Sequence, residues 1–367
     1  MAKRIKLMRA PGAYVQGKDA LLEFADRVEY LGKSFLFIAG GRSGAAAKVK
    51  IEKSYEGKDA KRRYENFSGH STISTIEALR KIVKEDSIDV IVGIGGGSVI
   101  DTAKAVAFYE GKAVVIVPTV ASCDAACTGL SVIYNDDHTF NAYLCYPKNP
   151  EMVIVDSQVI ADSPVKFLVA GMGDALATYF EALTCVRTAA PSVENGGITK
   201  VAFAITELCY KTIIEHGPRA IVANENHVVT DDLEAAIEAS IYLSGVGCDN
   251  AGVSIAHAIY NGMTDVDECT SMHGDVVAFG TICQLLFECA PTELLDEVMN
   301  FCYAIGSPMT LADMGITDKE RCKIAAAKAA SPTDSAQNEP GGCTPEELYD
   351  VMILADALGK KFKAARQ

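Results

Sequence analysis

One short run constrains this chain more than any other. Asp89-Val-Ile-Val92 is apolar and β-branched enough for a strand covered on both faces, and Gly93-Ile-Gly-Gly-Gly-Ser98 follows at once. Val99-Ile-Asp101-Thr-Ala-Lys104 then reads as the first turns of a helix. Strand, glycine turn and helix in succession present unpaired backbone N–H groups and the positive helix end to an anion. Glycine suits that corner because a Cβ would hold a pyrophosphate away from the backbone. The spacing departs from G-x-G-x-x-G, and glycine-rich tight turns without a ligand share this composition. A second apolar strand, Val114-Val-Ile-Val117, ends in Pro118-Thr-Val-Ala-Ser122-Cys-Asp124, a small-residue loop able to close over the same ligand.

Around this corner the first part of the chain alternates strands and helices. Ser34–Ala39, Asp89–Val92, Val114–Val117 and Met152–Asp156 read as strands, and Thr72–Glu85, with Ile73, Ile76, Leu79, Ile82 and Val83, as the clearest helix. Short Val/Ile runs of this kind belong to a largely parallel sheet covered by helices. Tyr134-Asn-Asp-Asp137 followed by Thr139–Leu144 reads as a small inserted hairpin. Beyond residue 163 strand signals stop. Ser163-Pro164 opens a helix, and further helices are expected near 196–216, 230–246, 250–261, 273–289, 292–305, 318–330 and 345–365. The last has a capping box in Thr344-Pro-Glu-Glu347, with Pro at the first helical position. The expected organisation is an α/β Rossmann-like nucleotide-binding domain over 1–163 and an all-α domain over 164–367.

Composition removes several classes. At 367 residues the chain is long enough for two cores. Nearly half of it is apolar, yet no stretch approaches the length of a membrane span. The opening Met1-Ala-Lys-Arg-Ile-Lys lacks the apolar run of a secretory signal. A net charge of −14 repels phosphate backbones, so nucleic acid is not an expected partner. Twelve cysteines without C-x-x-C or framework spacing read as reduced, mostly buried thiols of a cytoplasmic protein. Cys123 and Cys127, without neighbouring His or Cys, read as small packing residues.

The histidines sort by their surroundings. His138, His216 and His227 sit in polar or helix-end contexts and read as solvated, and His70, between Gly69 and Ser71, is undecided. His257 lies in the apolar, small-residue run Ser254-Ile-Ala-His257-Ala-Ile. A histidine there is either a core imidazole bonded to a carbonyl or a ligand, because burial demands a partner. His273 opens an apolar helix and, taken alone, suits a cap region. Asp174 stands in Gly171-Met-Gly-Asp174-Ala-Leu-Ala, where a buried carboxylate needs a cation or several donors. One Asp and two His would suit a catalytic zinc with open positions. Their spacing alone does not bring them together.

Together these residues resemble a known family. Gly93–Lys104, Pro118–Asp124, Leu130-Ser-Val-Ile-Tyr134, Gly171-Met-Gly-Asp-Ala-Leu-Ala-Thr-Tyr-Phe-Glu181, Pro11–Gly17 and Ala256-His-Ala-Ile-Tyr-Asn-Gly262 are similar to the polyol-oxidising members of the iron-containing, or group III, alcohol dehydrogenases. The resemblance runs over most of the chain and is thin at 40–70 and 306–343. It implies a dehydroquinate-synthase-like fold and a zinc-dependent hydride transfer between a polyol, glycerol or a related vicinal diol, and a nicotinamide cofactor. It assigns Asp174, His257 and His273 to the metal. Gly95, Gly96, Gly97, Ser98 and Asp101 fall to the pyrophosphate corner, and Thr119, Ser122, Thr128, Leu130 and Tyr134 to the nicotinamide and ribose side. Asp124 falls to the substrate hydroxyls. Iron-dependent relatives carry a further histidine one turn after the aspartate; Thr178 in its place favours zinc over iron. NAD is the expected cofactor. NADP use is also expected, because Gly40-Gly41-Arg42 stands where relatives place an acid on the ribose, and Arg42 or Ser43 could meet a 2′-phosphate. A homo-oligomer is expected. Alternatives are a relative acting on hydroxycarboxylates or 2-oxo acids, which Asp124 would repel, and a nucleotide-binding protein of this fold without turnover.

Overall fold

The computed structural model describes residues 5–366, the side chain of Ser43 excepted; Met1–Arg4, which hold most of the basic opening, lie outside them. Two compact units result. One comprises Arg9–Phe167 and Val222–Gly245, the other residues 5–8, Leu168–Ile221 and Val246 onward.

In the α/β unit, β1 (Tyr14–Gly17), β2 (Ser34–Gly40), β3 (Lys61–Phe67), β4 (Val90–Gly95) and β5 (Ala113–Pro118) lead through the antiparallel hairpin β6 (Leu130–Tyr134) and β7 (Phe140–Cys145) to β8 (Met152–Asp156). Six strands form one parallel sheet in the order β1-β8-β5-β4-β2-β3. All residues of β4 and β8 are buried, as strands covered on both faces must be. One face packs Phe35, Phe37, Val90, Val92, Val115 and Ile154 against Leu21, Phe24 and Ile51. Two strands escaped the sequence reading, β1 and β3, and both are sheet edges. β3 reads Lys-Arg-Arg-Tyr-Glu-Asn-Phe and is only partly covered, so it carries no apolar run.

From β2 the chain goes outward to β3, then returns to β4 on the other side of β2. The carboxyl ends of β2 and β4, paired up to Ala39 and Ile94, therefore flank a topological switch point. Open α/β sheets leave a crevice for ligands at such a point.

The helical unit is built from Val165–Thr188, Lys200–Glu225, Ser244–Ala251, Ile255–Met263, His273–Phe287, Thr292–Ile305, Cys322–Ala329 and Pro345–Ala364. The first of these and the helix Ser244–Ala251 begin a few residues inside the α/β unit. Thr344 Oγ1 accepts from Glu347 N at 3.2 Å and Glu347 Oε2 from Thr344 N at 2.9 Å, completing the expected box. One expected helix end is absent. His216 sits inside Lys200–Glu225, which continues through Gly217 and Pro218. A Cβ on Gly217 would stand 2.9 Å from Phe301 Cε2 and 3.0 Å from Met172 Sδ, so this glycine serves close packing and not termination. Among the described residues no helix is long and apolar enough to cross a membrane.

Candidate active site

The glycine corner joins β4 to the helix Gly97–Glu110, whose N-cap, Gly96, supplies no side-chain cap. A Cβ on Gly95 would stand 2.6 Å from Val99 Cγ2, and one on Gly40, at the end of β2, 2.9 Å from the same atom. These two glycines let the first helical turn settle onto the ends of β2 and β4. At Gly96 and Gly97 the nearest atoms are Val120 Cγ2 at 3.4 Å and Cys123 Sγ at 3.7 Å, so protein packing does not require glycine there. What a side chain would fill is the approach to the uncapped N–H groups, which fits a pyrophosphate.

The loop after β5 faces this corner. Thr119 N donates to Gly95 O at 3.1 Å. Lys104, 2% exposed, holds the loop from below: its Nζ donates to Ala125 O at 2.8 Å, to Thr128 Oγ1 at 3.3 Å and to Leu130 O. The Asp101 carboxylate is 3.4 Å from that ammonium and accepts from Val132 N at 3.2 Å. Asp101 thus ties the helix to β6. Ser122 and Asp124 are half-buried in the loop; the Asp124 carbonyl accepts from Cys127 N at 3.0 Å, and a Cβ on Gly245 would stand 2.8 Å from it. Tyr134 ends β6 with its ring 5.3 Å from that of His70. Gly41 opens the next helix at φ +71°, and Arg42 is exposed; the Ser43 side chain lies outside the described residues. Cys127 is buried, and no disulfide joins any of the cysteines.

In the helical unit, glycines bring three side chains together. A Cβ on Gly173 would stand 2.4 Å from Gly274 O, and one on Gly274 1.8 Å from Ala170 O. The helices Val165–Thr188 and His273–Phe287 therefore cross backbone against backbone, with Asp174 and His273 adjoining the crossing. Gly280 does the same for Ile255–Met263: its Cβ would stand 2.7 Å from Ala256 O, beside His257. His273 Nε2 ends 3.2 Å and His257 Nε2 3.4 Å from Asp174 Oδ1. All three ligand atoms lie within 4.8 Å of one another, and no other such His/Cys/Asp/Glu group occurs among the described residues. Donors about 2.0–2.1 Å from a tetrahedral ion stand roughly 3.3–3.4 Å apart, so both separations from Asp174 Oδ1 fit a metal. Asp174 is fully buried, whereas the imidazoles keep 15% and 29% of their surface, leaving one side of the cluster open.

Electrostatics agree with a cation at this point. Burial pushes the Asp174 carboxyl up, but the His273 and His257 imidazoles outweigh burial and hold it below the usual range. Burial disfavours the charged His257 imidazole, yet Glu181 and Asp174 raise it well above its ordinary value. Glu181 was not singled out from the sequence. It is fully buried, places Oε2 2.6 Å from His257 Nδ1, and lies two helical turns from Asp174 on the same face. A second apolar-helix carboxylate seven residues after the first was the available signal.

A parallel sheet with an uncapped glycine corner suits the binding of a dinucleotide, and the Asp–His–His cluster of the helical unit suits a divalent metal ion, the two features of a nucleotide- and metal-using class of enzyme. Known proteins narrow that class. A family model described as iron-containing alcohol dehydrogenase matches residues 11–157. A glycerol dehydrogenase of Escherichia coli O6:H1 is 40% identical over 97% of this chain and 98% of its own, and one of Citrobacter freundii 42% identical over 98% and 100%. The crystal structure of glycerol dehydrogenase from Schizosaccharomyces pombe matches with a TM-score of 0.93 at 31% identity, covering 99% of this chain and 94% of that one. The chain belongs to the iron-containing alcohol dehydrogenase family and is an enzyme.

Proposed function

We propose that this enzyme oxidises glycerol to dihydroxyacetone, or a related vicinal diol to its hydroxyketone, with NAD as hydride acceptor and zinc as resident metal. The observation that carries the reading is the convergence of Asp174, His257 and His273 in a chain similar to glycerol dehydrogenases over its whole length. When bound by these three, the ion would supply Lewis acidity that favours loss of the proton from a secondary hydroxyl. Asp124 accepts hydrogen bonds from the polyol hydroxyls and orients the polyol. Gly95, Gly96, Gly97 and Ser98 bind the pyrophosphate through backbone N–H groups. Thr119, Ser122 and Thr128, in the loop that Lys104 holds, and Leu130 and Tyr134, in the strand that Asp101 bonds at Val132, border the nicotinamide and ribose.

Zinc in preference to iron is supported at Thr178. That side chain is 3% exposed, its Oγ1 is 3.5 Å from Asp174 O, and a Cβ on Gly247 would stand 2.8 Å from its methyl. It offers no fourth nitrogen. Cofactor choice rests on the end of β2, where Gly40-Gly41-Arg42 holds no carboxylate to bond the ribose diol or repel a 2′-phosphate. NAD remains the principal cofactor, with relaxed discrimination. The enzyme is also expected to be a homo-oligomer.

Purified enzyme assayed with glycerol, 1,2-propanediol and a hydroxy acid, each with NAD and NADP, tests the reading. Expected are turnover of the diols, little of the acid, and a kcat/KM preference for NAD below about a thousandfold, some 4 kcal/mol. Preference for the acid would move the enzyme to the hydroxycarboxylate-oxidising branch. Asp124→Asn should lower kcat/KM for glycerol roughly tenfold, because an amide oxygen accepts less strongly than a carboxylate.

A further inference from the structure

Glu181 has more partners than a helix-packing residue needs. Its Oε1 accepts from Ser254 N at 2.8 Å and His257 N at 2.9 Å, two N–H groups at the start of the helix Ile255–Met263. Its Oε2 receives the Nδ1 side of the His257 ring at 2.6 Å. Ser254 caps nothing with its own side chain, whose Oγ instead donates to Glu339 Oε1 at 2.7 Å. The carboxylate from a neighbouring helix therefore closes the open end of this one and holds its histidine at the same time.

We infer that Glu181 is a positioning residue that fixes His257 as the Nδ1–H tautomer, so that the Nε2 lone pair faces the metal position beside Asp174. This rests on the proposed assignment of Asp174, His257 and His273 to a metal ion. An ionised carboxylate only accepts, so Nδ1 must carry the proton and Nε2 is left as the donor of an electron pair. Without that constraint a neutral imidazole beside a buried aspartate would place its proton on Nε2, donate it to Asp174 Oδ1 3.4 Å away, and close the ligand position.

Glu181→Gln separates this role from simple packing. The two backbone N–H groups require the amide oxygen at the Oε1 position, which turns the NH2 toward His257 Nδ1. An NH2 donates, so Nδ1 must accept and the proton moves to Nε2. The variant keeps its cap and its ring contact but presents the wrong tautomer.

Zinc affinity is measured on chelator-stripped full-length protein by competition with a chromophoric chelator. The tautomer is read from imidazole nitrogen shifts of the metal-free, histidine-labelled protein at a pH where the ring is neutral, with His257→Gln as assignment control. Expected is a 10- to 100-fold weaker zinc affinity for Glu181→Gln, a shift of His257 to the Nε2–H form, and a melting temperature of the metal-free variant close to the parent. Parent protein that binds zinc with Glu181→Gln binding it equally would overturn the inference and leave the metal assignment standing. Weaker binding with an unchanged His257 tautomer would also overturn it, as would a parent His257 in the Nε2–H form. Failure of the parent protein to bind zinc would sink the metal assignment, and this inference with it. If Glu181→Gln does not fold, the parent tautomer decides alone.

Discussion

The two functional regions are made from different material. The corner at Gly95–Ser98, the proposed pyrophosphate site, offers main-chain N–H groups, and its side chains matter chiefly by being absent. The cluster at Asp174, His257 and His273, the proposed metal site, offers three side-chain atoms, and its main chain matters because glycines allow three helices to touch. A backbone site is contiguous and distributes its affinity over several weak donors. A side-chain site stakes nearly everything on each atom and on the crossing that aims it. The same kind of substitution should therefore do different things in the two places.

The largest effect is expected in the cluster. His257→Ala removes one of three donors, and loss of the Lewis acid should cost at least about a thousandfold in kcat, several kcal/mol of transition-state stabilisation. Circular dichroism should show the fold retained, and metal analysis should show the ion lost. Activity that survives both this variant and stringent metal stripping would remove the contrast between the regions.

Next comes Gly274→Ala, whose Cβ would stand 1.8 Å from Ala170 O. Backbone cannot swing aside as a side chain can, so the two helices must part. A loss of roughly 3 kcal/mol in unfolding free energy is expected, together with weaker metal binding. A variant as stable as the parent would show that the crossing does not aim Asp174 and His273.

A smaller effect concerns a buried carboxylate bonded to Ser254. Glu339 is 3% exposed, and its Oε2 finds no donor among the described residues. Burial pushes its carboxyl up from the ordinary 4.5 to about 7, Ser254 and Arg187 opposing and Glu288 and Glu181 adding to the rise. Between these values the folded protein holds a proton that the unfolded chain releases. The contribution of this group to stability is thus greatest below about pH 4.5, falls as pH rises to about 7, and is level beyond. Glu339→Gln should remove that slope, gaining on the parent by on the order of 2 kcal/mol between pH 5 and pH 7.5 in denaturant titrations. Parallel curves for the two proteins would refute the assignment.

Smallest is Gly97→Ala in the backbone site. Only Cys123 Sγ, at 3.7 Å, lies near the added methyl, so the melting temperature should be unchanged or slightly higher. The methyl would hold the pyrophosphate off the N–H groups, and KM for NAD should rise about tenfold with kcat nearly kept. An unchanged KM would move the pyrophosphate away from this corner.

Much of this molecule is legible without coordinates, and the boundary of legibility is physical. β2, β4, β5 and β8 could be read because strands covered on both faces must be apolar throughout. β3 could not, because an edge strand keeps Arg62, Arg63 and Glu65 half in water. The helix through His216 was misjudged at Gly217, where the residue that usually ends a helix instead admits Phe301 and Met172.

By itself the sequence determined the alternation of strand and helix, the glycine corner and the capped last helix, because each follows from neighbours a few residues apart. It also marked Asp174 and His257 as needing partners, since an ionisable group in an apolar run cannot stay unpaired. Only the tertiary structure decided who those partners are. Asp174, His257 and His273 meet because helices far apart in the chain cross at Gly173, Gly274 and Gly280. Asp101 proved to be the anchor of β6, and Glu181 the support of His257, for the same reason. A side chain's chemistry is local, but the atom it faces is set by packing between segments that no local pattern relates.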